Sequence, residues 1–351
     1  MMKRMIKLLA AVVFLMLLVT PGFAFREISV VGTWSNLTLW QNLEKDFWAE
    51  TLSEKSDGAL KAKVVGTLDQ LNTPGTGLLR QMGSGIFDVV VVCTDYIVSD
   101  CAALAGLDLP VLAPDIQTAR KIVDIYRPVL DRLFKDYFNA KVLAVLPYPY
   151  QILFTNFPMD KGLESLSGKK IRASGWTTAK FIDALGGTGV TMPFGEVPQA
   201  LSRGVVDGAI TGSLSGYSAK WHEVTKYLSP IPLGGWDYYV PVINYDVWDQ
   251  MTKEEQDMLE NIVTEFLQEP SWVMAGEEAQ LGVDILTGTG EYAGKEAFMQ
   301  LVEVTQADVD LAMKVLQESV LPEFGKQIQP EEAKEWNETI GKITGLEIEV
   351  K

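Results

Sequence analysis

The chain has 351 residues, with 30 Lys+Arg against 46 Asp+Glu and a formal net charge of −16. So acidic a balance disfavours nucleic acid and anionic membrane as partners. The single histidine excludes a multi-histidine metal site by count and leaves only His222 for any histidine-based triad.

The N-terminus opens with Lys3, Arg4 and Lys7, then runs through residues 8–19 without a polar side chain. That run is too short to span a bilayer. Thr20-Pro21-Gly22 breaks it, and Gly22-Phe23-Ala24 places small residues where a signal peptidase reads. Cleavage after Ala24 is expected, with residues 1–24 as a signal peptide, periplasmic export and no insertion of the mature protein into the membrane. No Cys follows the apolar run, so no lipid anchor is expected. The mature chain would keep 27 basic against 46 acidic residues, a net charge of −19, over 327 residues. That length calls for two domains or lobes.

From residue 27 onward, short β-rich runs alternate with stretches of helical spacing, the pattern of an α/β protein with largely parallel strands. Residues 28–31 read as the first strand, 38–53 as a helix and 60–65 as a second strand. Residues 87–92, apolar apart from Asp88, are suited to a strand buried on both faces. Cys93 ends that run, and with Cys101 it could form a disulfide in an oxidising compartment or remain a buried thiol. A helix is expected over 118–137 and a buried strand over 141–146. Pro147-Tyr148-Pro149-Tyr150 then reads as a hinge, because two prolines bar helix.

The alternation resumes with strand 170–173, helices 177–185 and 196–203, and strand 207–210. His222 reads as a solvated helix position. Residues 236–244 look like strand, and Thr252-Lys253-Glu254-Glu255 is a capping box that starts a helix with an apolar stripe from Met258 to Leu267. The rest of the chain is polar and helix-rich.

Two motifs carry a specific resemblance. Leu163-x-x-Leu166-x-Gly168-Lys169-Lys170-Ile171-Arg172 is similar to the segment of TRAP (tripartite ATP-independent periplasmic) transporter solute-binding proteins that presents their carboxylate-binding arginine. Pro193-Phe194-Gly195-Glu196-Val197-Pro198-Gln199-Ala200-Leu201, followed by Gly204-Val205-Val206-Asp207-Gly208, resembles that family's next strand-helix-strand unit. Shorter likenesses cover most of the mature chain. They include Glu54-Lys55-Ser56-Asp57-Gly58, Gly85-x-x-Asp88, Leu107-Asp108-Leu109-Pro110, Trp236-Asp237-Tyr238-Tyr239, and Asn244 with Trp248.

The resemblance implies a two-lobed, periplasmic-binding-protein-like α/β fold with crossing hinge strands and a long helix linking the lobes. Its boundaries are read as 25–147 for the first lobe, with about 236–278 returning to it, and 148–235 for the second. Residues 279–351 are assigned to helices packing mainly on the second lobe. The implied function is capture of a small organic acid and its delivery to membrane permease subunits driven by an ion gradient, with no enzymatic activity and no cofactor; no metal ligand is assigned, and whether a metal bridges the ligand stays open.

Arg172 is the leading candidate on physical grounds as well. It ends a short strand, and in open α/β sheets ligands bind beyond the carboxyl ends of strands. Its planar fork can give a carboxylate two parallel hydrogen bonds, which Lys cannot. Trp34, Tyr96, Trp176 and Trp236 lie near expected strand ends and could wall an apolar ligand body; Tyr239 follows Trp236 in the same motif. Where many relatives that bind acidic ligands carry a second arginine, Gln151 precedes Thr155-Asn156; where many have Asn, this chain has Thr211, with Ser213 close by. Both departures favour a monocarboxylate with an apolar or aromatic body. Two other classes stay open: an exported ligand-sensing protein acting on a receptor, and a hydrolase using paired carboxylates. The missing Gly-x-Ser-x-Gly elbow removes the commoner hydrolase scheme.

Overall fold

The structure, a computed structural model, describes residues 25–71, 73 and 75–350, so the signal-peptide reading lies outside the described residues. In chain order its strands are β1 (Arg26–Gly32), β2 (Leu60–Thr67), β3 (Val89–Cys93), β4 (Ala140–Val142), β5 (Gln151–Thr155), β6 (Lys170–Ala173), β7 (Thr188–Thr191), β8 (Gly208–Gly212), β9 (Tyr227–Ser229), β10 (Tyr239–Asn244) and β11 (Gln300–Leu301). They form two sheets, ordered β2-β1-β3-β10-β4 and β11-β9-β5-β8-β6-β7, one to each lobe.

The expectation of largely parallel strands holds within each lobe's βαβ units. β2, β1 and β3 pair in parallel, as do β8, β6 and β7. β10 and β5 are antiparallel to their neighbours, because each is where the chain enters a lobe after crossing from the other. Every side chain of β3 is buried, as its unbroken apolar run requires. Cys93 and Cys101 are both buried and free.

Three segments join the lobes. The two crossing stretches bond to each other: the Leu146 and Tyr239 main chains exchange hydrogen bonds of 2.8 Å, and the amides of Tyr148 and Gln151 donate to the carbonyls of Trp236 and Gly235. Sequence periodicity placed residues 236–238 in the strand, but β10 starts only at Tyr239. Gly235 (φ 74°) and Asp237 (φ 47°) turn the chain here, and Asp108 fixes the turn by accepting the Trp236 and Asp237 amides at 2.7 Å each. A Cβ at Gly235 would lie 2.1 Å from the Asp108 carboxylate, so only glycine fits.

The third joint is the continuous helix 253–287, opened by the expected Thr252/Glu255 capping box. Its Trp272 indole donates to the Val145 carbonyl in the crossing, and its Glu278 accepts from Thr38 of the first lobe. Gly282 lets the helix touch the Ser213–Ser218 helix of the second lobe, since a Cβ there would meet Ser213 Oγ at 2.3 Å.

The C-terminal helices divide between the lobes rather than staying on the second. Asp308 accepts the Leu163 amide of the second lobe. Residues 330–344 instead pack on the first-lobe helix Ile116–Phe138, where Arg132 pairs with Glu335 and Tyr137 donates to Glu332. The fully buried Trp336 needs an indole acceptor and finds the Gly106 carbonyl at 2.8 Å. His222 is likewise not solvated: it lies half-buried between the rings of Tyr217 (5.2 Å) and Phe298 (4.9 Å). Among the described residues no helix is long and apolar enough to cross a membrane.

Candidate ligand-binding site

Arg172 is the third residue of β6, which lies between β8 and β7. Only 2% exposed, its side chain reaches across both neighbours: Nε donates to the Met192 carbonyl (3.0 Å) and Nη1 to the Ile210 carbonyl (2.8 Å). Among the described residues no acceptor takes Nη2, and no carboxylate pairs with the guanidinium directly. The Trp221 ring, stacked on Phe194, lies 6.0 Å from the guanidinium carbon. Two main-chain carbonyls therefore hold the fork while part of it stays available.

Arg172 borders a narrow enclosed cavity between the lobes. Trp34, Leu37 and Tyr96 come from the first lobe; Gln151, Asp237 and Tyr239 from the crossing; Ser174, Phe194, Thr211 and Ser215 from the second lobe. Its volume is about 10 Å³, room for about one water molecule. Trp34, Tyr96 and Ser174 also border an adjoining open groove of about 490 Å³, whose further walls include Leu68, Asp95, Met192, Pro193 and Glu196. A larger depression of about 580 Å³ on the outer side of the second lobe contains none of the residues singled out from the sequence.

Trp34, Tyr96, Gln151, Arg172, Thr211 and Tyr239, named from sequence, thus converge. The remaining three do not line the cavity. Ser213 turns away, its hydroxyl donating to the Glu278 and Ala279 carbonyls of the linking helix. Trp236 is buried in the crossing, where its indole donates to Ala113 and its ring meets Tyr150 edge-on. Trp176 starts the helix Trp176–Ala184, half-buried beside the cleft.

Sequence reasoning passed over Asp95, Ser174, Phe194, Ser215 and Asp237. Asp95, Phe194 and Asp237 lie next to or within stretches already singled out; alternation locates strand ends but does not tell which neighbour turns inward.

The polar groups fall into two sets. Ser174 Oγ donates to Asp95 (2.7 Å) and contacts the Gln151 carbonyl oxygen (3.3 Å), while the Trp34 indole donates to the Tyr239 hydroxyl (2.8 Å). The Ser174–Asp95 bond ties the lobes across the cleft, and the Trp34–Tyr239 bond braces the first-lobe side of it. Thr211 and Ser215 are only 5% and 7% exposed, yet among the described residues neither hydroxyl has a hydrogen-bond partner.

Burial pushes the Asp237 carboxyl up to about 7, helped by the negative field of Asp95, while Cys93, Arg172 and Gln151 pull it back. Asp95 is raised by burial and held down by Ser174 and Arg172. The Cys93 thiol, 3.3 Å from Asp237, is pushed well up by burial and the two carboxylates, so it stays protonated and unreactive. Among the described residues no group of three or more His, Cys, Asp and Glu converges as a metal site.

The profile of the bacterial extracellular solute-binding proteins, family 7, matches residues 31–320. Two curated relatives are the C4-dicarboxylate-binding periplasmic protein DctP of Rhodobacter capsulatus, 26% identical over 163 residues (45% of this chain, 47% of that protein), and a solute-binding protein of Chromohalobacter salexigens, 27% identical over 192 residues (52% and 54%). Each match spans about half of the relative's length. Among solved structures, a TRAP periplasmic solute-binding protein from Desulfovibrio salexigens with bound orotic acid superposes with a TM-score of 0.78 at 18% identity, covering 90% of this chain and 99% of the other. A Bordetella pertussis extracytoplasmic solute receptor binding pyroglutamic acid gives 0.74 at 17% identity, covering 90% and 99%.

Proposed function

The chain belongs to bacterial extracellular solute-binding protein family 7, the TRAP transporter binding proteins, and on that premise we propose that it captures a small organic carboxylate between its lobes and delivers it to an ion-gradient-driven permease. The observation that carries this reading is the buried Arg172. Two carbonyls orient its fork, and among the described residues Nη2 has no acceptor and the Thr211 and Ser215 hydroxyls, which line the same cavity, have no partner. A carboxylate entering there would gain charge-assisted hydrogen bonds from a pre-oriented donor set.

The body of the ligand is proposed to be apolar or aromatic. Trp34, Tyr96, Phe194 and Tyr239 offer flat walls, and Gln151 stands where a second arginine would meet a second carboxylate. Asp95 and Asp237 would repel a dicarboxylate. Orotic and pyroglutamic acids, the ligands of the two solved relatives, are ring compounds with one carboxyl group each, which supports the same size class. Trp176, Ser213 and Trp236 act in this reading as framework around the cleft.

Export completes the proposal: cleavage after Ala24 would leave a periplasmic protein starting at Phe25. Native mass spectrometry of protein purified from the producing cell tests both parts. The expected result is a mature N-terminus at Phe25 and a retained organic acid. Binding of neutral sugars as tightly as acids would sink the carboxylate reading, and an intact Met1 would sink the export reading.

A further inference from the structure

With a carboxylate on Arg172, as proposed above, the remainder of the site carries the wrong charge for a plain anion. Asp237 lines the cavity itself. Asp95 lies on the groove side of the wall formed by Tyr96 and Ser174, where its carboxylate accepts one side-chain bond, from Ser174. Both carboxylates feel the field of the one guanidinium, and Asp95 adds its repulsion to Asp237. Asp108, behind them, is already engaged by the Trp236 and Asp237 amides. One cation thus faces two incompletely paired acids, so the cleft already carries an excess negative charge, which a monoanionic ligand would deepen and a zwitterion would not. Desolvated like charges of this kind are costly.

A second observation points to a polar head with several bonding groups. Thr211 and Ser215 are more than nine-tenths buried and border the cavity, and their hydroxyls have no partner among the described residues. They stand on the Arg172 side, whereas the carboxylates stand on the crossing and the first lobe. Donors and acids therefore occupy opposite walls. The space beyond the head is the 490 Å³ groove, whose exposed lining is mostly apolar, with Leu68, Met192 and Pro193 among its walls.

We propose that the ligand is a zwitterion, an amino acid with an apolar side chain. Its carboxylate lies on Arg172, Thr211 and Ser215, its ammonium between Asp237 and Asp95, and its side chain extends past Trp34 and Tyr96 into the groove. The pair of ligand charges cancels, and each pole meets its complement. Burial, with the repulsion of Asp95, raises the proton affinity of Asp237, and a positive group beside it would restore the ionised form.

Calorimetry on the mature protein tests this with matched acids: leucine and phenylalanine against their 2-hydroxy and 2-oxo counterparts, within a panel of the twenty common amino acids. At least one amino acid is expected to bind tenfold or more tighter than its deaminated counterparts. Asp237→Asn, and independently Asp95→Asn should the first fail to fold, is expected to narrow that gap to threefold or less, whereas Arg172→Lys weakens all the acids together. Hydroxy or oxo acids that bind as tightly as the amino acids, with or without added sodium or calcium, overturn the ammonium assignment, as does a panel in which no amino acid binds. If those acids still depend on Arg172, the carboxylate reading survives. Leucinamide or phenylalaninamide binding as well as the acids, indifferent to Arg172→Lys, sinks both.

Discussion

The two walls of the cleft are built on opposite principles. The second-lobe wall presents donors held in place by the main chain: Arg172 on the Met192 and Ile210 carbonyls, with the Thr211 and Ser215 hydroxyls uncommitted. The facing wall, from the first lobe and the crossing, presents aromatic faces and carboxylates, namely Trp34, Tyr96, Tyr239, Asp95 and Asp237. Each wall alone is polar but unsatisfied. Closing the lobes without a ligand offers Asp95 a hydroxyl from Ser174, but among the described residues brings no carboxylate within pairing distance of Arg172. A ligand can therefore favour the closed arrangement through contacts that the empty cleft does not make.

The largest expected effect strikes the donor wall. Arg172→Lys keeps the charge but replaces the fork with a point charge, which can neither span the two carbonyls nor pair bidentately. Loss of a buried, hydrogen-bonded charge partner should weaken ligand binding by about 2–5 kcal/mol, with a smaller change in the melting temperature of the ligand-free protein. Calorimetry beside thermal melts separates these effects. Binding within about threefold of wild type, well under 1.4 kcal/mol, would make Arg172 structural and abolish the contrast between the walls.

The next effect probes the ground beneath the acidic wall. Glu44 is fully buried under the loop that carries Trp34, bonded by the Thr33 amide and hydroxyl and the Trp48 indole. Burial outweighs those donors and raises its carboxyl from 4.5 to about 7. The folded state thus prefers the protonated form. Its stabilising contribution is complete below about pH 4.5 and is lost as pH rises toward 7, over a span on the order of 3 kcal/mol. Other carboxylates have the opposite sign: Asp308, whose bonds from Thr305 and Leu163 hold it low, loses stability as pH falls. Comparing wild type with Glu44→Gln isolates the one group. Denaturant unfolding at pH 5 and pH 8 should show a steeper loss for wild type; parallel slopes would remove Glu44 from the pH response.

How legible these features were in the sequence follows from the range of the forces that make them. β3 and the Thr252 cap depend on neighbours within a few residues, so apolar runs and capping spacing identified them. The arginine of the site and its Gln151 and Thr211 companions were recognisable because the motif around Arg172 is itself local. The start of β10 was misplaced because Asp108, more than a hundred residues upstream, sets the turn at Gly235–Asp237. The return of residues 330–344 to the first lobe depends on Trp336 meeting Gly106, again a contact that no local pattern encodes.

The smallest effect separates two hydroxyls on one short stretch. Thr211 ends buried and unpartnered at the cavity, while Ser213, two residues on, donates to the Glu278 and Ala279 carbonyls. Strand β8 ends at Gly212, so the alternation that would set the two on one face stops between them. Helix Ser213–Ser218 then turns Ser213 toward the linking helix, at the Gly282 approach. A hydrogen bond of this kind contributes about 0.5–1.5 kcal/mol net. Thr211→Val should therefore weaken ligand binding by roughly that amount with little change in folding, whereas Ser213→Ala should lower folding stability by a similar amount and leave affinity nearly unchanged. Titration and denaturant unfolding of both variants read the two columns of this comparison. If Ser213→Ala costs affinity and Thr211→Val does not, the donor wall is built on the wrong hydroxyl, and the pairing of Thr211 with Arg172 must be given up.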